Sequence, residues 1–317
     1  MDEYELPPQK GLGHFRHKTM EQQVKEASAE GSIRRWWWEF LRLSRDYWFL
    51  CQTCAEGKPE TYDETLAQIF KDFGNVYEGT FEDWWRRTGS AVFAERELPP
   101  RVEQITSVES AVAGNRAGKI LVEIPLQLTR ETVQKQISEI LDLYSDERPR
   151  HRYETSTSKY PIEPVLSRIN VIQQAHEVYC LHRELVEKPK ALARLGVGHD
   201  LSEHDSKANL FRIGKIYGLS PSNASLTGYP DEIARKTKKM RSEVSRVLGR
   251  AQTLLSYVEA GRFAVTNDEP LTAKPRFSSK QDAAFAEIED QWWALDLHST
   301  LSENKIASAR LLHYTGD

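Results

Sequence analysis

Apolar side chains recur at helical spacing from about residue 19 to residue 97, and tryptophan is prominent among them. The densest stretch, residues 32–54, reads SIRRWWWEFLRLSRDYWFLCQTC. At about 100° per residue, Trp37, Leu41 and Trp48 fall on one side of a helix, and other large apolar side chains occupy the remaining sides. A helix that is apolar nearly all round is buried on most faces or contacts a partner. We therefore predict a Trp-rich helical domain over residues 21–100, preceded by a flexible N-terminus over residues 1–20.

Helix-breaking and helix-capping residues divide this region into several helices. Gly74 and Gly79 interrupt the pattern, and Thr80 stands where an N-cap is expected, with acidic residues in the turn that follows. The two prolines at positions 99 and 100 close the region.

The pattern changes near residue 119 and predicts a short β/α element over about residues 119–145. KILVEIPLQL, residues 119–128, is short and rich in β-branched residues and follows a glycine, which favours a strand. Thr129 then caps an amphipathic helix. The apolar face of this helix comprises Val133, Ile137, Ile140 and Leu141. We assign residues 101–160 to a strand–helix connector.

Helical patterns return in the C-terminal half of the chain. Residues 161–265 read as a helical module interrupted near 218–230, and residues 266–317 read as a tail that contains one helix at about 280–295. The prediction for the whole chain is a mainly α fold.

Composition restricts the class of protein. The chain has 317 residues, of which 39% are hydrophobic and 28% are charged, and its mean hydropathy is −0.60. No apolar run approaches the roughly 18 residues that a membrane-spanning helix needs. Three cysteines and the absence of a leader pattern indicate a cytoplasmic protein in a reducing compartment. Because the net charge is −4, any contact with nucleic acid has to come from a local basic patch.

One segment carries such a patch. Residues 231–255 read DEIARKTKKMRSEVSRVLGRAQTLL, and residues 231–262 contain eight Lys or Arg against four Asp or Glu. As a single helix, this segment has an apolar stripe opposite a row of cations, which is typical of a solvated amphipathic helix. Alternatively, it forms two short helices that hold DNA.

The second interpretation comes from a resemblance. EIA at 232–234, followed by VSRVLGRA at 244–251, resembles the helix-turn-helix of sigma-factor region 4. In that pattern a small residue such as Ala234 lets two helices cross closely, and Val244 and Leu248 fill the crossing. A lysine, Lys238, stands where the pattern usually has glycine. The resemblance implies contact with duplex DNA through eight residues, namely Arg235, Lys238, Lys239, Arg241, Ser242, Ser245, Arg246 and Arg250.

A second resemblance concerns the N-terminal half. WWWEFLRLSRDYWFLCQ, FKDFGNVY and FEDWWRRTGSAVFAE resemble segments of uncharacterised bacterial proteins carried by prophages and integrating elements. This resemblance extends over about residues 30–265 and implies a mobile-element context. It supplies no catalytic residues.

Signals for metal binding and catalysis are weak. Cys51 and Cys54 have the spacing of a zinc pair, and His176, Cys180 and His182 lie close together in sequence, but no second Cys pair completes a tetrahedral set. The chain contains no GxSxG, Walker or GxGxxG motif. We therefore predict no metal site, no cofactor and no catalytic residues.

Three functions remain open at this point. The first is a non-enzymatic DNA-binding protein of a bacterial mobile element. The second is an adaptor or inhibitor that docks a protein partner through the Trp-rich helices. The third is a nuclease without a readable motif.

Overall fold

A computed structural model describes most of the chain as helices joined by turns. The described residues are 19–29, 31–53, 61–96, 120–144, 156–162, 169–196, 203–263, 269–272, 275–298 and 301–314. These residues contain no β-strand, so the mainly α fold is confirmed. Most of the N-terminus that was expected to be flexible, residues 1–18, lies outside the described residues.

The N-terminal helices are short, and polar side chains cap several of them. They are α1 (Met20–Ser28), α2 (Ile33–Arg42), α3 (Arg45–Thr53), α4 (Glu64–Phe73) and α5, which begins as Phe81–Trp84, passes through a π-helical turn at Trp85–Gly89 and ends as Ser90–Val92. The Thr80 hydroxyl accepts a hydrogen bond from the Asp83 backbone amide, and the Asp83 carboxylate accepts one from the Thr80 amide. The predicted N-cap at Thr80 is therefore confirmed as part of a capping box.

The later helices are longer. They are α6 (Arg130–Asp142), α7, which runs as Ile169–His182, a π-helical turn at Arg183–Glu187 and Lys188–Arg194, then α8 (Glu203–Tyr217), α9 (Pro230–Val258), α10 (Ser279–Ala294) and α11 (Glu303–Tyr314). Two compact units divide the chain. One comprises Met1–Phe93 together with Val165–Asp317, and the other comprises Ala94–Pro164.

The tryptophans form the core of the larger unit. All eight are buried, namely Trp36, Trp37, Trp38, Trp48, Trp84, Trp85, Trp292 and Trp293. The Trp37 ring lies 5.9 Å from Phe73, 5.3 Å from Phe93 and 5.6 Å from Phe263 between centroids. The expected burial of Trp37, Leu41 and Trp48 is confirmed. The indole rings are therefore not on the surface of the part of the chain that the structure describes.

Distant parts of the sequence share this core. Phe40 on α2 packs edge-on against His176 on α7, with centroids 5.4 Å apart. Trp48 on α3 contacts Trp292 on α10 at 5.7 Å. The larger unit is therefore assembled from both ends of the chain.

A glycine allows α8 and α9 to pack closely. A Cβ atom added at Gly214 would lie 2.4 Å from Met240 Sδ and 3.1 Å from Val244 Cγ2. These distances are shorter than van der Waals contact, so a larger residue fits only if the Met240 side chain moves.

The smaller unit corrects one prediction. Residues 120–125 of the expected strand have no regular secondary structure, and residues 126–128 form a turn closed by a hydrogen bond from the Leu128 amide to the Pro125 carbonyl. A strand needs a neighbour for its backbone groups, and the described residues provide none. The strand prediction is therefore wrong there, while residue 119 lies outside the described part. The helix after it is confirmed, because Thr129 caps α6 by accepting from the Thr132 amide.

Candidate nucleic-acid interface

Helix α9 is one continuous α-helix of 29 residues, from Pro230 to Val258. It begins with proline at its first position, where the missing N–H costs nothing. No turn interrupts residues 231–255, so the two-helix arrangement implied for this segment is wrong. Packing gives the physical reason. The helix-turn-helix pattern expects Ala234 to lie where two helices cross, whereas Ala234 is exposed in this structure. The single amphipathic helix is the correct interpretation.

The apolar side of α9 is anchored in the larger unit. Buried positions recur at helical spacing along this side and comprise Met240, Val244, Val247, Ala251, Leu254 and Val258. Ile233, near the N-terminal end, is only half-buried. This side packs on α8, α7 and α2. Its burial fixes the direction in which the opposite side faces solvent.

The opposite side of the N-terminal half is polar, cationic and exposed. We call it the basic face. It comprises Arg235, Lys238, Lys239, Ser242, Ser245 and Arg246, all of which are exposed. Two residues assigned to DNA contact by the resemblance, Arg241 and Arg250, are instead half-buried. The structure therefore brings six of the eight predicted residues together on one surface and places the other two at its margins.

The cations of the basic face are not neutralised within the protein. In the described part of the chain, Arg235, Lys238, Lys239 and Arg246 make no ion pair or side-chain hydrogen bond. The neighbouring Lys236 differs, because its Nζ atom lies 2.8 Å from Glu232 Oε1. Residues 231–250 contain seven Lys or Arg and three Asp or Glu, within a chain whose net charge is −4. A local positive field therefore remains available to an anionic partner.

The dimensions of the basic face suit duplex nucleic acid. Arg235 and Arg246 are eleven residues apart, which corresponds to about 16 Å along the helix axis. The major groove of B-DNA is about 12 Å wide and admits an α-helix. Arg235 and Lys239 lie on successive turns, and Arg246 lies two turns further on, with the hydroxyl groups of Ser242 and Ser245 between Lys239 and Arg246. These groups can meet phosphates and base edges along such a groove.

A half-buried ion-pair cluster was not foreseen from the sequence. The Arg276 guanidinium lies 3.0 Å from Asp46, 3.1 Å from Asp63 and 2.8 Å from Glu259. The Ser44 hydroxyl also donates to Glu259. These partners are separated by up to 230 residues, so a local sequence pattern could not predict that they form a cluster.

Glu184 and His298 form a second, more deeply buried cluster at the π-helical turn of α7. His298 Nε2 lies 3.0 Å from Glu184 Oε1, and Lys188 Nζ lies 3.5 Å from Glu184 Oε2. Burial by itself would raise the pKa of Glu184. The hydrogen bond with His298 and the charge of Lys188 outweigh that cost and lower the pKa to about 2.

Chemistry beyond charge has little support in the described residues. They contain no group of three or more His, Cys, Asp or Glu arranged to hold a metal ion. Cys180 is buried, with its Sγ atom 3.8 Å from His176 Nδ1, while Cys54 lies outside the described part. None of the helices within that part is long and apolar enough to cross a membrane.

Comparison with known proteins gives no family assignment, because no family model, curated protein or solved structure matches this chain.

Proposed function

We propose that this chain is a non-enzymatic protein that binds duplex DNA through the basic face of α9. One observation carries the proposal: four exposed cations without ion-pair partners lie on one side of a helix whose other side is buried. A solvated surface helix usually interleaves acids with its bases. Here the only acid between residues 233 and 258 is Glu243.

The physical basis of binding is phosphate neutralisation. Each phosphate that meets a lysine or arginine releases condensed counterions, so the affinity falls as salt rises. Helix α9 needs no large rearrangement to bind, because its apolar side already holds it in place. A bacterial mobile-element context and a cytoplasmic location, both expected from the sequence, accord with this role and belong to the proposal.

The alternative of an adaptor that docks through the Trp-rich helices is not favoured by the fold. Docking through the tryptophan rings themselves would need those rings to be exposed, whereas every tryptophan is buried.

The test is a triple substitution of Arg235, Lys239 and Arg246 to Gln. Binding of a labelled 30-base-pair duplex is measured by fluorescence anisotropy at several salt concentrations. We expect the slope of log K against log[salt] to decrease by about 0.9 for each phosphate that the variant no longer neutralises. The melting temperature should stay nearly unchanged, because the three side chains are exposed and removal of such groups shifts stability by about 0.5 kcal/mol or less each.

A matched control variant separates local from global charge. Lys71, Lys190 and Lys280 are exposed cations on other helices, and their change to Gln alters the net charge by the same amount. The control should retain the parent affinity and salt slope. An equal decrease of affinity in both triple variants would show that only net charge matters. An absence of binding by the parent protein at low salt would refute the proposal.

A further inference from the structure

The larger unit contains a cavity of about 170 Å³ at the C-terminal end of α9, away from the basic face. Its walls come from Leu43 after α2, from the start of α3, from α7, from the C-terminal end of α9 with the residue that follows it, and from α10. For comparison, an apolar cavity of about 150 Å³ in another protein binds benzene. The volume therefore suits a molecule of one small ring or a short chain.

One part of the wall is apolar and aromatic. Leu255 on α9 lines the cavity together with Trp292 and Trp293 on α10. The Arg183 guanidinium makes cation–π contacts with Trp292 and Trp293, and its central carbon lies 5.1 and 5.2 Å from their ring centroids. These aromatic side chains thus already accommodate one planar cation.

The other part of the wall is rich in carboxylates. Asp46, Glu187 and Glu259 line the cavity, each from a different element. Tyr179 lines it as well, and its hydroxyl makes no hydrogen bond to another residue in the described part of the chain. A ligand would find acceptors and one unused hydroxyl here.

The cations near the cavity are already engaged. Arg183 donates hydrogen bonds to the carbonyls of Trp292 and Leu295 and pairs with Glu184. Arg45 lies 3.4 Å from Glu289 and over the ring of Phe285 at 3.9 Å.

Arg276, behind the wall, is shared among three carboxylates, of which Asp46 and Glu259 line the cavity. The lining itself holds three carboxylates and two guanidinium groups, those of Arg45 and Arg183, and Glu187 also lies 3.3 Å from His182 Nδ1. Because the two arginines pair with Glu289 and Glu184, which are outside the lining, the carboxylates of the lining keep an excess of negative charge. Consistent with this, burial raises the pKa of Glu259 although Arg276 and Ser44 oppose that rise. A further cation would offset the cost of burying this carboxylate.

We infer that this cavity is a binding site for a small organic cation of the amine, amidine or guanidine class. The cationic group contacts Glu259 and Asp46, and the body of the ligand packs on Leu255 and Trp292. The inference rests on the cavity and its charges, so it is independent of DNA binding.

Three probes of equal shape and different charge test the site. Benzamidine is cationic, benzamide is neutral and benzoate is anionic. Binding is followed by isothermal titration calorimetry and by the indole N–H signals of protein labelled with ¹⁵N at tryptophan. We expect benzamidine to bind with a dissociation constant of about a millimolar or below, and to shift the signals of Trp292 and Trp293. Benzoate should not bind.

Substitutions in the cavity test whether benzamidine binds there. Leu255→Trp fills the space, so it should abolish benzamidine binding. Leu226→Trp, on an exposed loop that does not line the cavity, is the matched control and should bind like the parent. Tyr179→Phe keeps the shape and should weaken binding several-fold. Melting curves of each variant show whether it is folded.

The opposite results would overturn the inference. Equal binding of benzamide or benzoate would mean that the cavity does not select a cation. Binding that survives Leu255→Trp in a folded protein would place the ligand elsewhere, and no binding of any probe would mean that there is no site.

Discussion

The contact between Gly214 and Met240 makes a prediction whose sign depends on the tertiary structure. An added Cβ at Gly214 would lie 2.4 Å from Met240 Sδ and 2.7 Å from Met240 Cγ, inside contact distance by about 1 Å. Forcing an extra methyl group into a packed core costs about 1–3 kcal/mol. The higher helix propensity of alanine stabilises the folded state by about 1 kcal/mol and so offsets part of this cost. Gly214→Ala should therefore lower the free energy of unfolding by about 0–2 kcal/mol.

Gly249, in the middle of α9, is the matched control. A Cβ at this position would meet no atom within 4 Å, so Gly249→Ala gains propensity without a clash. It should raise the free energy of unfolding by about 0.5–1 kcal/mol. Urea denaturation of the parent and both variants measures the two effects.

A double-mutant cycle sharpens the test. Met240→Ala alone should cost about 2–5 kcal/mol, because Met240 is fully buried. In the Met240→Ala background the clash is gone, so Gly214→Ala should become neutral or stabilising. The packing argument fails if Gly214→Ala stabilises the parent as much as Gly249→Ala does, or if the two substitutions are additive.

Two further predictions concern the core. Trp37→Ala should lower the free energy of unfolding by about 3–5 kcal/mol, because the ring is fully buried among three phenylalanines; a change below about 1 kcal/mol in urea denaturation would contradict this. His176 is buried, and burial together with the charge of Arg42 lowers its pKa from 6.5 to about 3. Between these values the unfolded chain binds the proton and the folded chain does not, so stability falls as the pH falls, by about 2 kcal/mol from pH 6.5 to pH 5. In His176→Gln, denaturation midpoints should lose this part of their pH dependence, and an unchanged slope would exclude His176 as its source.

Local features of the sequence determined where several helices form and which side they bury. The N-caps at Thr80 and Thr129 were predictable, because a capping hydrogen bond joins residues only three positions apart. The burial of the tryptophans and of the apolar stripe on α9 followed from composition and period, since large apolar side chains at helical spacing leave water together.

Interactions between distant residues were not predictable in this way. The strand at 120–128 was expected from propensity, but a strand also needs a partner, and no described residue offers one. The choice at residues 231–255 depended on whether Ala234 meets another helix, and it faces solvent instead.

The two candidate sites differ in the same way, since one is local in sequence and the other joins distant residues. The cations of the basic face were visible in the sequence because they lie on one helix, where spacing alone sets their side. Arg276 and its carboxylates at positions 46, 63 and 259 were not, because only the packing of α3, α4 and α9 around one core brings them within 3.1 Å. Periodicity specifies one face of one helix, whereas a site built from several helices exists only once burial of their apolar sides has fixed their neighbours.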